Sequence, residues 1–123
     1  MRLLPLMLLA VCCSASADWK KINETDETSF YVDFDSMVRQ GNIRQFWSLR
    51  NHSVVDEEGA LSVRIFEEHD CKGRRFRYLD ITGHSKQWAD GRVLSDRSLI
   101  DEPWKRIPPG TVVEYIHKII CTK

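Results

Sequence analysis

Ile43-Arg44-Gln45-Phe46-Trp47-Ser48-Leu49-Arg50 puts Ile43, Trp47 and Leu49 on one side of an extended chain and Arg44, Phe46, Ser48 and Arg50 on the other. Leu61-Ser62-Val63-Arg64-Ile65-Phe66-Glu67-Glu68 repeats the pattern, with Leu61, Val63 and Ile65 opposed to Ser62, Arg64, Phe66 and Glu68. Successive side chains of a strand point to opposite faces, so period two sustained over eight residues marks a half-buried antiparallel strand. Residues 51–60 between them are polar, contain Gly59, and read as a hairpin loop. The expected register sets Trp47 opposite Ile65, Phe46 opposite Phe66, and Arg44 opposite Glu68 as a favourable cross-strand charge pair.

Towards the N-terminus, residues 18–22 and Phe30-Tyr31-Val32 carry strand formers. Residues 33–39 fit one helical turn, and Gln40-Gly41-Asn42 is a turn signal. Towards the C-terminus, Lys72-Gly73 turns the chain into a further strand over 74–82. Gly83 and Asp90-Gly91 bound an extended segment containing Trp88, and residues 92–102 read as loop with at most a short strand.

Pro108-Pro109-Gly110 then stops the chain ahead of a helix. Thr111-Val112-Val113-Glu114 has the spacing of a capping box, in which the Thr hydroxyl and the Glu carboxylate satisfy amides that the first turn leaves unpaired. Val112, Ile116, Ile119 and Ile120 form one stripe, whereas Glu114, His117 and Lys118 face away. One apolar helix stripe and one apolar sheet face need each other. The expected fold is α+β: a single antiparallel sheet with the C-terminal helix packed on it. A regular helix would carry Cys121 to its polar side, so the helix is expected to end near Ile120 or the cysteine to lie at the edge of the sheet.

The first 17 residues read as an export signal. Met1-Arg2 is a short positive region, residues 3–11 are apolar apart from Pro5, and Ala15-Ser16-Ala17 offers the small-x-small pattern of a signal-peptidase site. The apolar run is too short to span a bilayer, which takes about 18 residues or more. Leu9-Ala10-Val11-Cys12 has the Leu of a lipoprotein box, but Val11 stands where a small residue is needed, so cleavage after Ala17 is favoured over lipid anchoring at Cys12. Residues 18–123 suit one domain, and their nearly balanced charge argues against nucleic acid as a partner. No further stretch could span a membrane as a helix.

After such cleavage only Cys71 and Cys121 remain, and in an oxidising compartment two cysteines imply one disulfide. That compartment also argues against a cysteine nucleophile. His52, His69, His84 and His117 lack the spacing that sets two ligands on one helix face, and neighbours such as His69, Asp70 and Cys71 point apart on a strand. No nucleophile elbow, phosphate loop or dinucleotide fingerprint is present. Neither an enzyme nor a cofactor or metal is indicated.

The feature that carries function is basic and aromatic. Lys72, Arg74, Arg75 and Arg77 crowd together, interleaved with Phe76 and Tyr78, and Arg44, Arg64, Phe46 and Phe66 are expected on the outer face of the neighbouring strands. Such a surface could hold an acidic glycan, an extracellular protein or a second copy of the chain.

The order Trp19, Tyr31-Val32-Asp33, Gly41-Asn42, Phe46-Trp47-Ser48-Leu49, Asp70-Cys71, Arg75, Pro108-Pro109-Gly110-Thr111 and Cys121 resembles the surface-adhesin protein E family of proteobacteria over nearly the whole mature chain. The resemblance implies a bent antiparallel sheet, a C-terminal helix tied to it by a disulfide, and a secreted or surface protein. It implies adhesion to host proteins of the vitronectin and laminin kind, and homodimer formation. The alternative is an envelope structural or interaction protein, held in the periplasm, with no adhesin role.

Overall fold

The structure, a computed structural model, describes residues 17–122. The segment read as an export signal, and Cys12 with it, lies outside the described residues except for Ala17.

Turn residues cut the chain into strands that, as far as β6, pair with their successors. These are β1 (Lys20–Glu24), β2 (Thr28–Gln40), β3 (Ile43–His52), β4 (Ser62–Asp70), β5 (Arg75–His84), β6 (Val93–Ser98) and β7 (Lys105–Arg106), before α1 (Val112–Thr122). All pairings are antiparallel and the order is β1-β2-β3-β4-β5-β6. β6 and β7 divide the outer edge of β5: Asp80 to His84 pair with β6, and Arg75 and Phe76 pair with β7. Gly41, at φ +58°, takes the left-handed conformation that the tight β2–β3 turn requires. The expected single antiparallel sheet with a C-terminal helix is therefore the fold.

Several local expectations need correction. Residues 33–39 do not form a helical turn. β2 runs on for 13 residues, with its register against β3 interrupted between Asp33 and Val38. There Asp33 Oδ1 accepts from the Asp35 amide, and Ser36 Oγ donates to the Asp33 carbonyl while accepting from the Trp47 amide. These short side-chain bonds absorb the extra residues. Trp88 is not extended either; with Ala89 it occupies the left-handed region, at φ +65° and +56°.

The β3–β4 register is one residue away from the expected one. Trp47 faces Phe66, Phe46 faces Glu67, Ser48 faces Ile65 and Arg44 faces His69. The face assignment also changes. α1 covers Phe46, not Trp47: Val32, Phe46, Ile116 and Ile120 form the buried cluster, with Ile22, Phe34, Met37 and Val112 packed on it. Leu49 is equally buried but lies on the opposite face with its partner Tyr31, whose ring packs on Trp88 at 4.8 Å. The helix thus covers one face of β3, and the 85–92 loop covers the Leu49–Asn51 end of the other.

The Thr111 half of the capping box forms, Thr111 Oγ1 accepting from the Glu114 amide at 3.3 Å, while Glu114 Oε1 reaches one residue past the cap and accepts from the Gly110 amide at 3.3 Å. The helix runs on through Cys121 to Thr122, past the expected end near Ile120. Its buried side is turned towards His117, which is buried rather than solvent-facing. Cys121 follows His117 by one turn, so it lies on this same side and meets Cys71 with a Cα–Cα distance of 5.6 Å. The disulfide is formed.

Candidate functional site

The face of the sheet that the helix leaves free carries two stacks of arginine on tryptophan. On β3 and β4, the Arg64 guanidinium lies 3.9 Å from the centre of the Trp47 ring, and Phe66 packs on the same ring at 4.9 Å. On β5, Arg75 and Arg77 alternate onto one face and hold Trp104 between them, at 4.7 and 4.2 Å. Their charges are matched from β4. Arg75 Nε donates to Asp70 Oδ2 at 2.9 Å and Arg77 Nε donates to Glu68 Oε2 at 2.7 Å. Gln45 donates to the other oxygen of Glu68 at 3.3 Å, which extends the network back to β3. Hydrogen bonds from the Gly73 amide and from Arg75 hold the Asp70 carboxyl below the usual carboxylate range.

The expected basic cluster is therefore partly dispersed. Arg64, Phe66, Arg75 and Arg77 share the helix-free face. Phe46 is fully buried beneath α1, away from any surface. Arg44 lies on the helix side of β3, where it donates to the Gly41 carbonyl at 2.7 Å. Lys72 and Arg74 are exposed in the β4–β5 turn, with Arg74 at φ +52°. Trp104 joins the face although it lies in a stretch with no strand periodicity; its one sequence signal is a tryptophan next to Pro103.

A second arrangement, buried under the helix, escaped the sequence reading altogether. Ser48 Oγ donates to Glu67 Oε2 at 2.6 Å, and Glu67 Oε1 is 2.8 Å from His69 Nε2. His69 Nδ1 is 2.9 Å from His117 Nδ1, and His117 Nε2 is 3.7 Å from Cys121 Sγ. Strand pairing places the first members, because Ser48, Glu67 and His69 all lie on the helix side of β3 and β4. Burial, followed by His69 and Arg74, holds the His117 pKa below the ordinary imidazole value. His69, Asp70 and Cys71, neighbours in sequence, diverge: His69 points to His117, Asp70 to Arg75, and Cys71 is bonded to Cys121.

No helix among the described residues is long and apolar enough to cross a membrane. No curated protein sequence matches the chain. Solved structures of Haemophilus influenzae protein E share the fold. Its selenomethionine form is 16% identical, with a TM-score of 0.61 over 85% of this chain and 86% of the other. A second crystal form gives a TM-score of 0.59 at 16% identity, over 85% of this chain and 87% of the other. A family model described as surface-adhesin protein E matches residues 19–122. The chain belongs to the surface-adhesin protein E family.

Proposed function

We propose that the protein is an exported, non-catalytic binding module that holds an extracellular protein through the helix-free face of its sheet. The observation that carries this reading is the paired stacking of Arg64 on Trp47 and of Arg75 and Arg77 on Trp104. Trp and Arg are the residues most enriched where truncation costs an interface most of its binding energy, because they combine large apolar area with directed donors. The guanidinium planes of Arg75 and Arg77 are already ordered by Asp70 and Glu68, so less side-chain entropy is lost on docking. The same ion pairs argue against a polyanionic glycan. Arg75 and Arg77 contribute little uncompensated charge, and long-range attraction to an acidic polymer depends on that charge.

Binding of the purified protein to immobilised vitronectin, laminin and heparin across a salt titration tests the proposal. A protein ligand should be held at physiological salt, and Trp104→Ala should weaken it about tenfold or more. Heparin binding should be weak and lost as salt rises. Equal binding by wild type and Trp104→Ala, with both melting alike, would remove this face from the function. Absence of binding to all three would favour an envelope partner over an adhesin role.

A further inference from the structure

α1 covers only part of its own face of the sheet. It packs on Val32, Phe46 and their neighbours in β1 to β3. Ser48 lies on that face, and Ile65 stands opposite Ser48 and Ile81 opposite Ile65, so both share it. Val63 and Gly83, two residues along from these, share it too. Ser95 and Arg97 of β6 continue the face, opposite Gly83 and Ile81. Two cavities of about 280 and 220 Å³ open on this uncovered part, and no residue of α1 lines either. Ile81 and Arg97 line both, so the two form one groove. Its floor is the half-buried pair Val63 and Ile81, and it runs along β5 from Gly83 to Tyr78. That length of strand is about 17 Å, which about five extended residues would match.

The two ends of the groove differ in charge. At the Gly83 end stand Asp56, Glu57 and Glu58 of the β3–β4 loop. Asp56 Oδ1 accepts from the amides of Glu58 and Ala60, each at 2.9 Å, and so holds the loop in shape. Glu57 and Glu58 are exposed and have no cation partner among the described residues. Towards the Tyr78 end stand Arg97 and Lys105, exposed and without carboxylate partners among the described residues, with Glu102 the one acid beside them. A single exposed charge is hydrated and asks for no partner. Here unpaired charges of opposite sign flank one apolar floor, and the loop that carries the acids is fixed by its own hydrogen bonds.

We propose that this groove binds an extended segment of a partner protein in which an acidic, an apolar and a basic residue alternate with small polar ones. Alternate side chains of an extended chain point the same way, so the three face the sheet together. The apolar side chain covers Val63 and Ile81, the acid meets Arg97 and Lys105, and the base meets Glu57 and Glu58. A nucleic acid or an anionic lipid surface would be repelled at the acidic end. The Trp47 and Trp104 stacks lie on the opposite face of the sheet, so the groove is a second site that does not depend on them.

Amide shifts of the nitrogen-15-labelled protein, followed by NMR during titration with synthetic peptides, test the proposal. The probe is acetyl-Glu-Ser-Leu-Ser-Lys-amide, and the comparison peptides carry Gln, Glu or Lys at both ends. The probe should shift the amides of Val63, Ile81 and Arg97 with a Kd on the order of 100 μM. At low salt it should bind about five- to tenfold more tightly than the Gln peptide, the gain that two exposed ion pairs supply together. Salt at about 0.5 M should erase that difference. Arg97→Glu, at an exposed position, should leave the melting temperature unchanged, weaken the probe about fivefold or more, and turn the preference to the peptide with Lys at both ends. Trp104→Ala should leave the titration unchanged. Absence of binding, equal affinities for the four peptides, shifts confined to other residues, or an Arg97→Glu protein that binds like wild type would each overturn the proposal.

Discussion

His69 Nδ1 and His117 Nδ1 are 2.9 Å apart, which makes a hydrogen bond between two imidazoles the polar link from the sheet to the helix that covers it. Both rings are buried, and their planes are inclined by only 26°. One hydrogen fits between the two nitrogens, so doubly protonated rings could not keep this contact.

Acid should therefore loosen the fold. The His117 pKa is lowered by burial, then by His69 and Arg74; that of His84 is lowered by burial and then by Arg64, both from 6.5. The unfolded chain takes up protons that the fold refuses, so stability is level above neutrality and falls as pH drops below about 6.5. The decline ends only once pH has passed below the native values. Urea midpoints measured between pH 7.5 and 5 should fall, and His84→Asn should flatten part of the slope. A midpoint constant over that range would contradict this account.

The disulfide joins residues 50 apart in sequence. In the chain-entropy model such a bridge stabilises by about 4 kcal/mol. Full reduction should lower the urea-derived stability by that order, and the loss should be seen first as reduced protection of the α1 amides in hydrogen exchange. Identical melts with and without reductant would refute it.

Reversing charge on the free face should damage the fold rather than only the surface. Arg77 answers Glu68, whose side chain is 9% exposed, so Arg77→Glu would set two carboxylates together with little water between them. The expected cost is about 2–3 kcal/mol. Arg77→Met, which keeps the stem that covers Trp104, should cost less. Chemical denaturation of the pair of variants checks the order.

Ala89 sits at φ +56° while its amide donates to Ser62 Oγ at 2.9 Å. Glycine tolerates that backbone without a Cβ clash, and the hydrogen bond does not depend on the side chain. Ala89→Gly should stabilise by about 1 kcal/mol, the relief of strain outweighing the added freedom of the unfolded chain. A lower melting temperature for this variant would mean that the Ala89 methyl packs against something worth more.

Strands β3 and β4, the hairpin between them, the capped helix and the Cys71–Cys121 disulfide were all legible, since each depends on local periodicity or on the pair of cysteines that follows the first 17 residues. The covered face was not. β3 buries Phe46 on one side and Leu49 on the other, so hydrophobic alternation gives no preference between them. The layer beneath the helix is also partly polar. Ser48, Glu67, His69 and His117 satisfy one another there, and a reading that equates polar with exposed assigns them outward. The register error has the same origin, because it paired apolar residues where the fold pairs Phe46 with Glu67. At the candidate site, Arg64, Arg75 and Arg77 were legible as cations. Their pairing with Glu68 and Asp70 depends on contacts across strands, and Trp104 arrives from a segment without periodicity.

The nearest-neighbour order of the sheet also bears on how the chain acquires its shape. From β1 to β6 each strand finds its partner in the segment just before or after it, so this part of the sheet can grow hairpin by hairpin on a microsecond scale as the polypeptide emerges, and only the two-residue β7 skips a strand to reach β5. Docking of α1 is different: Val32 and Ile116 come from distant parts of the chain, and so do Cys71 and Cys121. Growth of the sheet alone leaves Phe46 and the Glu67–His69 pair uncovered, which makes helix closure the last event and the half-covered sheet the species most exposed to aggregation and proteolysis.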